Sequence, residues 1–359
     1  MERSAVEERI ETWIAFANRV SIRPDKHGAT QPSELVVWRC SMNINWMIGT
    51  HGDPLGALQR FVKALWRQAD LDVMVVAPNG HGFLLESPDE LEHMNPFRPL
   101  MKLNTARLVV DTAKKRPGKR IGAMLRPCEM RALNEMAARG AVKRSDVLAI
   151  CTDCLGTFPA DEFEWRTDRS SKGLTKETLQ FAPQGGISAY RYRPACQMCA
   201  EPGATEGDVN IGVFGLPVRQ AMLVNAQNGS LTLESLTDGL ADDIVRKREH
   251  TLAKISERHV RTRERVLKSL DEDLPADLQE LLLQFESCGD CQACMNVCPI
   301  CSVDEPRKDA NGRLVREDVV NWLLSCAGCG MCEQSCPQHQ PLSAVFTHIR
   351  EQIDAELAL

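Results

Sequence analysis

The sequence has no long uninterrupted apolar run. Of its 359 residues 43% are hydrophobic, but no stretch of about 18 apolar residues occurs, so we expect no membrane-spanning helix. The opening residues, MERSAVEERIETWIAFANRV, are interrupted by charges and predict an amphipathic helix rather than a signal peptide. The sequence therefore predicts a soluble, cytoplasmic protein.

Neither sign of charge dominates, and aromatic residues are scarce. Lys and Arg number 43 and Asp and Glu 49, which gives a formal net charge of −6. This balance counts against a nucleic-acid binder, because such proteins are usually basic. Aromatic residues make up only 5% of the chain, but its hydrophobic content is ordinary for a globular protein. The length favours two or three domains.

Cysteine is the abundant residue, at 15 positions. In a secreted protein so many cysteines would indicate disulfides, but these stand in short-spaced groups and follow no signal peptide, which favours metal ligation. Cys40 stands alone. The others are Cys128, the pair Cys151 and Cys154, the pair Cys196 and Cys199, and nine cysteines between Cys288 and Cys336.

The first 150 residues alternate between helical and strand patterns. Helices are predicted after Asp53-Pro54, over 104–115 and over 128–140, and strands over 71–77, 119–125 and 145–151. Strands separated by helices of this length predict an α/β domain with a largely parallel sheet. Residues 160–195 look irregular and polar. Further strands are predicted over 210–217 and 220–233, with a turn at Asn228-Gly229.

Two copies of one cysteine motif lie near the C-terminus. CGDCQACMNVCP begins at Cys288 and CAGCGMCEQSCP at Cys326, and both read C-x2-C-x2-C-x3-C-P. This is the spacing of a two-cluster bacterial ferredoxin, in which the fourth cysteine of each run binds the other cluster. A zinc site would leave the third cysteine of each triplet unused. Cys301 is surplus to the motif and is predicted to be a buried structural cysteine.

The motif assigns eight ligands to two 4Fe-4S clusters. One cluster is predicted at Cys288, Cys291, Cys294 and Cys336, and the other at Cys326, Cys329, Cys332 and Cys298.

The cysteines before the ferredoxin motif offer a further site. Cys128 follows a predicted strand and begins a helix, where backbone N–H groups and the helix dipole stabilise a thiolate. Cys196 and Cys199 can chelate a metal through a tight turn. With one or both of Cys151 and Cys154, this makes five candidates for a site that needs four ligands.

Five short segments in one order carry a family resemblance: GDPLGAL, PCEMRAL, DCLGTF, YRPACQMC and NIGVFG. In this order they resemble the beta subunit of coenzyme F-420-reducing hydrogenase and the related beta subunit of formate dehydrogenase. The resemblance covers roughly residues 45–225, and the two-cluster tail also fits the formate dehydrogenase member. It implies an α/β flavoprotein fold with FAD and a 4Fe-4S cluster beside the flavin.

Matched residue by residue, the resemblance implies four ligands for this third cluster. They are Cys128, Cys154, Cys196 and Cys199. Cys151 takes the place of a glycine in the family pattern, so we expect it in the core; Cys151 in place of Cys154 is the alternative.

The domain organisation follows from these assignments. Residues 1–235 are predicted to form the flavin- and cluster-binding α/β domain, and 236–285 a helical linker that contains a long charged helix over 237–268. Residues 286–345 are predicted to form the ferredoxin domain, and 346–359 a C-terminal helix or tail.

The flavin contacts can only be nominated, since the sequence has no GxGxxG fingerprint. Gly52 and Asp53 precede a helix N-terminus that could bind a pyrophosphate, although an ordinary loop-to-helix turn has the same pattern. Asn104 and Thr105 are candidates for the isoalloxazine ring. Arg126 could favour the anionic reduced flavin or tune the cluster, with a surface salt bridge as the alternative.

Two functions of different class are compatible with these features. In the first, the chain is an electron-transfer subunit whose FAD exchanges a hydride with coenzyme F-420, a nicotinamide or another two-electron carrier. Its clusters would serve a catalytic partner, such as a molybdenum or tungsten formate dehydrogenase or a hydrogenase. In the second, the chain is a ferredoxin-type adaptor that joins such an enzyme to a heterodisulfide-reductase-like complex. No molybdopterin-enzyme signature is recognisable, so formate oxidation is expected on another chain.

Overall fold

The computed structural model describes residues 44–77, 80–170, 173–187, 191–226, 236–238, 242–270, 274, 280, 291–312 and 314–357. The N-terminal helix predicted from the sequence, the turn at Asn228-Gly229, Cys40 and Cys288 lie outside these residues. No helix in the described part of the chain is long and apolar enough to cross a membrane.

The described residues contain an eight-stranded mixed sheet. Its strands are β1 (Ile44–Gly49), β2 (Val73–Val76), β3 (Phe83–Leu85), β4 (Ile121–Leu125), β5 (Val147–Thr152), β6 (Val209–Gly212), β7 (Ala221–Ala226) and β8 (Leu236–Asp238). They are ordered β3-β2-β4-β5-β6-β7-β1-β8. The predicted α/β class is therefore confirmed.

The prediction of a largely parallel sheet is wrong outside its centre. β2, β4, β5 and β6 pair in parallel, whereas β3 and the strands from β7 to β8 pair antiparallel. Only eight residues separate β6 from β7, which is too short for the crossover that a parallel pair requires. The central strands β2 and β4 are buried along their whole length, as expected of parallel strands covered on both faces.

Helices cover both faces of this sheet. They are α1 (Pro54–Gln68), α2 (Thr105–Lys115), α3 (Pro127–Ala138), α4 (Ala160–Thr167), α5 (Leu174–Gln180), α6 (Pro194–Gln197), α7 (Asp242–Leu270), α8 (Ala293–Val297), α9 (Arg316–Leu324), α10 (Met331–Gln334) and α11 (Leu342–Leu357). α1 begins where it was predicted, because the Asp53 carboxylate accepts a hydrogen bond of 3.0 Å from the backbone N–H of Gly56.

The segment 160–195 is not irregular, contrary to the prediction. It contains α4, α5 and α6, which are short and polar. Phe163 is the buried side chain of α4, and Glu162 and Arg166 form an ion pair of 2.6 Å one turn apart on its surface. With so little apolar periodicity, these helices have no clear sequence pattern.

Each face of the sheet carries its own apolar cluster. One contains the inward side chains of α1, β1, β7 and α7. The other contains those of α2, α3 and β4 together with side chains of α9, α11 and the segment around Ile300. The C-terminal cysteine-rich segment thus completes the core on one face of the sheet. The domain boundaries drawn from the sequence stay a prediction.

Candidate functional site

Cys151 and Cys154, three residues apart, lie in different surroundings. Cys151 belongs to β5 and is only 1% exposed, within the apolar cluster on one face of the sheet. Gly207 packs against it so closely that an added Cβ would come within 2.8 Å of the Cys151 Cβ. Cys154 follows the strand, and its thiol borders a cavity of about 110 Å³.

This cavity brings four of the predicted ligands together. Its lining includes Cys128, Cys154, Cys196 and Cys199. A cavity of about 10–15 Å³ is enough for one water molecule, so this one has room for a larger group. The four cysteines implied by the family resemblance therefore share one cavity, and Cys151 lies outside it.

The topology explains how distant cysteines meet. Cys128 and Cys154 follow the carboxyl ends of the neighbouring parallel strands β4 and β5, the edge at which open α/β sheets bind ligands. Cys196 lies in α6, which begins after Arg193, and Cys199 follows two residues beyond its end. The backbone N–H of Arg193 donates to the carbonyl of Thr157 at 2.9 Å, which fixes α6 next to the segment after Cys154.

Burial opposes ionisation at most of these thiols. It raises the pKa of Cys128 and Cys199, and it raises the pKa of Cys154 to about 12, with the neighbouring thiol of Cys196 adding to the effect. Cys196 differs: burial alone raises its pKa, but the Arg193 guanidinium and hydrogen bonds with Thr157 lower it overall. The Thr157 hydroxyl lies 3.2 Å from the Cys196 sulfur. Thiolates at these positions therefore need a cationic partner.

Two groups of the described ferredoxin-type cysteines interact electrostatically, and Cys288 lies outside the described residues. Burial raises the pKa of Cys332, and the neighbouring thiols of Cys326, Cys329 and Cys298 raise it further. Coupling to Cys336 and Cys291 likewise adds to burial in raising the pKa of Cys294. Cys298 thus interacts with the described cysteines of the second run, and Cys336 with those of the first; the assignment to two clusters stays a prediction.

The side chains of Cys301 and Trp322 both donate hydrogen bonds to the Cys298 sulfur. The Cys301 thiol donates to its sulfur and lowers the pKa of Cys298 to about 6, and the Trp322 indole N–H donates to the same sulfur at 3.4 Å. Cys301 itself is buried, in the environment predicted for it.

The two regions meet at Cys329. Its side chain borders the same cavity as Cys128 and packs with Met101 and Met331. Next to it, Gly330 has a φ of +66° and lies against Ala195, the neighbour of Cys196, so closely that a side chain there would collide with Ala195.

The thiols do not converge as the ligands of a single ion do. Among the described residues, no three His, Cys, Asp or Glu side chains are arranged to hold one metal ion. A cubane does not require such convergence, because each of its cysteines binds a different iron. The half-buried thiols around the cavity leave the predicted 4Fe-4S cluster a prediction.

The nominated flavin contacts do not form one site. Gly52 and Asp53 lie in an exposed loop, where the Gly52 N–H donates to the carbonyl of Arg219 at 2.7 Å. Asn104, Thr105 and Arg126 lie elsewhere in the fold and are buried.

Two of the buried nominees, Thr105 and Arg126, share the partner Glu129 within the protein. The Thr105 hydroxyl donates to the Glu129 carboxylate at 2.7 Å, and Arg126 pairs with Glu129 at 3.4 Å. Arg126 is thus no surface salt bridge, and its charge lowers the pKa of nearby Cys154, against the larger effect of burial. The Asn104 side chain caps α2. Burial raises the pKa of Cys329 to about 11, and the Asn104 amide partly offsets this rise. The assignment of these residues to a flavin stays a prediction.

Asp153, between Cys151 and Cys154, was not recognised from the sequence. It is buried, and its carboxylate accepts hydrogen bonds from the backbone N–H groups of Ala204, Val213 and Phe214 at 2.7–3.0 Å. It also pairs with buried Arg248 of α7. Asp153 therefore anchors the loop that carries Cys154. The acidic residue directly before a cysteine at a strand end was the sequence feature that could have indicated this anchor.

Comparison with known proteins gives two relatives of one kind. The F420-dependent formate dehydrogenase subunit beta of Methanocaldococcus jannaschii is 21% identical over 294 residues, which cover 67% of this chain and 73% of that protein. The F420-dependent formate dehydrogenase 1 subunit beta of Methanococcus maripaludis is 25% identical over 217 residues, 51% of this chain and 54% of that protein. The chain thus spans about half the length of the second relative. No protein-family model matches the chain. The resemblance inferred from the sequence motifs is confirmed by these two relatives.

Proposed function

We propose that the chain is an electron-transfer subunit of an oxidoreductase of the formate dehydrogenase type, with three 4Fe-4S clusters. One observation carries the proposal: four cysteines from separate parts of the α/β fold surround one cavity, which Cys329 of the ferredoxin motif also borders. Electron transfer requires neighbouring clusters to lie close together, and cysteines of two predicted clusters line this one cavity.

The three proposed ligand sets are those predicted from the sequence. Bound clusters would supply one-electron transfer. The chain's own residues supply positive charge at the α/β site through Arg193 and Arg131, which both interact electrostatically with its thiols. Cys301 and Trp322 donate hydrogen bonds to Cys298, and such bonds raise the potential of a cluster bound there.

The positions of the cysteines give the proposed order of the sites. The cavity set adjoins Cys329, and Cys329 belongs with Cys298. The set of Cys291, Cys294 and Cys336 follows, and Cys291 is exposed to solvent. Electrons would therefore pass between the chain and a redox partner near Cys291, and the other end of the path lies in the α/β domain.

The proposed partner is a catalytic molybdenum or tungsten formate dehydrogenase subunit, or a hydrogenase subunit. The names of the two relatives include F420 and formate dehydrogenase, which favours coenzyme F-420 as the two-electron carrier and FAD as the group that exchanges electrons with it. The FAD contacts proposed from the sequence are Gly52, Asp53, Asn104, Thr105 and Arg126.

A second candidate function is a ferredoxin-type adaptor that joins such an enzyme to a heterodisulfide-reductase-like complex. The specific observation in its favour is that two of the buried nominees for flavin contacts, Thr105 and Arg126, already contact the Glu129 carboxylate. In this case the α/β domain would dock partners and catalyse no reaction of its own.

The test is metal and flavin analysis of protein purified without oxygen. We expect about twelve irons and twelve sulfides per chain, since three cubanes contain four of each. FAD released on denaturation, with reduction by coenzyme F-420, supports the first function. Full iron content without flavin supports the adaptor. Eight irons in undamaged protein would rule out the cluster in the α/β domain.

A further inference from the structure

Arg193 is an almost fully buried cation, with 4% of its surface exposed. Its Nε donates to the Thr157 hydroxyl at 2.7 Å. One terminal nitrogen lies 3.1 Å from the Gln334 side-chain oxygen and 3.7 Å from the Met331 sulfur. The other lies 3.3 Å from the Met101 sulfur and 3.8 Å from the Cys196 sulfur. The guanidinium is therefore held from several directions, mainly by sulfur and neutral oxygen.

Arg193 has no carboxylate partner among the described residues. Other buried arginines do: Arg126 pairs with Glu129, Arg139 with Asp304 and Arg248 with Asp153. A buried charge without a counter-charge is strongly disfavoured. No carboxylate among the described residues therefore balances the charge of Arg193, so another anion is needed beside it.

The missing negative charge can come from the cysteines. Arg193 lines the same cavity as Cys128, Cys196 and Cys329, and one of its terminal nitrogens lies 3.8 Å from the Cys196 sulfur. Cys196 and Cys128 belong to the cavity set, whereas Cys329 belongs to the ferredoxin motif. Arg193 thus faces cysteines of two different predicted clusters.

The contacts of Arg193 also join the two regions mechanically. Thr157 and Cys196 belong to the α/β domain, and Met331 and Gln334 belong to α10, which contains Cys332. Arg193 lies at the same junction as the close approach of Gly330 to Ala195.

We propose that Arg193 is a counter-cation shared by two clusters, the one in the cavity and the one at Cys298, Cys326, Cys329 and Cys332. The proposal rests on the function proposed above, because it assigns the missing anions to clusters bound at those cysteines. A cluster held by four thiolates is net negative and gains one further negative charge on reduction. A nearby cation therefore stabilises the reduced form and raises the reduction potential of both clusters. Arg193 is a positioning and charge-compensating residue rather than a ligand.

The test is an EPR-monitored redox titration of the full-length protein purified without oxygen. Arg193→Gln removes the charge, and Arg193→Lys keeps it. Arg139→Gln is the matched control, since Arg139 also links the α/β domain to the C-terminal segment but has Asp304 as its partner at 2.6 Å. Iron is counted first in every variant, including the wild type.

We expect Arg193→Gln to weaken reduction of both neighbouring clusters at least tenfold, equal to a potential lower by 59 mV for a one-electron couple. The cluster at Cys291, Cys294 and Cys336 should keep its potential as an internal reference. Arg193→Lys and Arg139→Gln should stay near the wild type.

Other outcomes are equally decisive. If Arg193→Gln loses iron while Arg193→Lys retains it, the need for the charge is supported. Unchanged potentials in a fully loaded Arg193→Gln protein would overturn the proposal. Loss of iron in both Arg193 variants would also overturn it, because the geometry of the guanidinium rather than its charge would then be required. Failure of the proposed function looks different: the wild-type protein itself would lack iron.

Discussion

At the scale of single residues, the direction of one side chain decides which of two neighbouring cysteines can bind a metal. Cys151 lies within a buried strand, where its thiol packs in the core, and Cys154 lies beyond the end of the strand and faces the cavity. The spacing alone could not show which of the two cysteines binds a metal, because C-x2-C also fits a pair in which both do. The family resemblance favoured Cys154, and the position of the strand end gives the physical reason.

Cys154→Ser should remove the cluster in the cavity and leave the two C-terminal clusters in place, because a hydroxyl is a far poorer iron ligand than a thiolate. The iron count should fall from about twelve to about eight. Cys151→Ala is the matched control and should keep all the iron, with a packing loss of about 1 kcal/mol. Iron analysis and EPR distinguish the two. The reverse pattern, with iron lost only from Cys151→Ala, would move the ligand to Cys151.

Other site residues at this scale could not be predicted, for a physical reason. The ferredoxin ligands have a fixed spacing because one short loop wraps one cubane. Arg193 and Asp153 act through partners that lie far away in sequence, Gln334 and Arg248. No local pattern encodes such pairs, so only the folded chain reveals them.

At the scale of helices and strands, the elements that position the site are those with the clearest sequence patterns. β4, β5 and α3 were predicted to within a few residues, because apolar runs and helical spacing are strong signals. β1 and the short helices after residue 160 were missed. β1 depends on antiparallel pairing with β7 and β8, which the local sequence does not specify.

The pair Asp153–Arg248 holds α7 against the loop that carries Cys154, and both side chains are buried. Arg248→Met should destabilise the protein by about 3–5 kcal/mol, because it leaves a buried carboxylate without its partner charge. Denaturant unfolding of the anaerobic protein measures this loss. Arg246→Met removes an exposed arginine of the same helix, paired with Asp243, and should change stability by no more than about 0.5 kcal/mol. Equal effects of the two changes would contradict an anchoring role.

Gly330 controls how closely α10 approaches α6. Gly330→Ala should push the two predicted clusters apart, because the new methyl group collides with Ala195. The expected readout is weaker magnetic coupling between the reduced clusters in EPR spectra. Gly328→Ala carries the same cost of a left-handed backbone, about 1–2 kcal/mol, but a side chain there meets no atom within 4 Å. If both variants keep the wild-type coupling, the contact does not set the spacing.

At the scale of the whole molecule, the C-terminal segment belongs to the core of the α/β fold. Side chains of α9 and α11 pack in one apolar cluster with those of α2, α3 and β4. Polar contacts add to this: Arg107 donates to the Asn296 carbonyl at 2.6 Å, and Arg139 pairs with Asp304. The motif predicted two bound clusters in this segment, but it contained no signal for where the segment would pack.

A specific protease site inserted between Leu274 and Glu280 tests the predicted domain boundary. We expect the two pieces to stay together on size-exclusion chromatography, because burial of the shared apolar surface holds them. Denaturant should separate them. The C-terminal piece should retain about eight irons while the pieces remain associated. Loss of both its clusters on cleavage would contradict a ferredoxin unit that begins after the linker.

The shared core has a consequence for how the protein is made and kept in the cell. The ribosome releases the segment 291–357 after the strands and helices that it covers, and until that segment docks, one face of the sheet lacks part of its apolar cover. The segment owes its shape to short cysteine-rich loops, and metal sites of this kind are commonly formed together with folding. Cluster delivery then becomes the final step in covering the sheet. A cell short of iron would hold newly made copies with an uncovered apolar face, which chaperones and proteases recognise. The abundance of the protein would thereby follow the iron supply without any dedicated regulator.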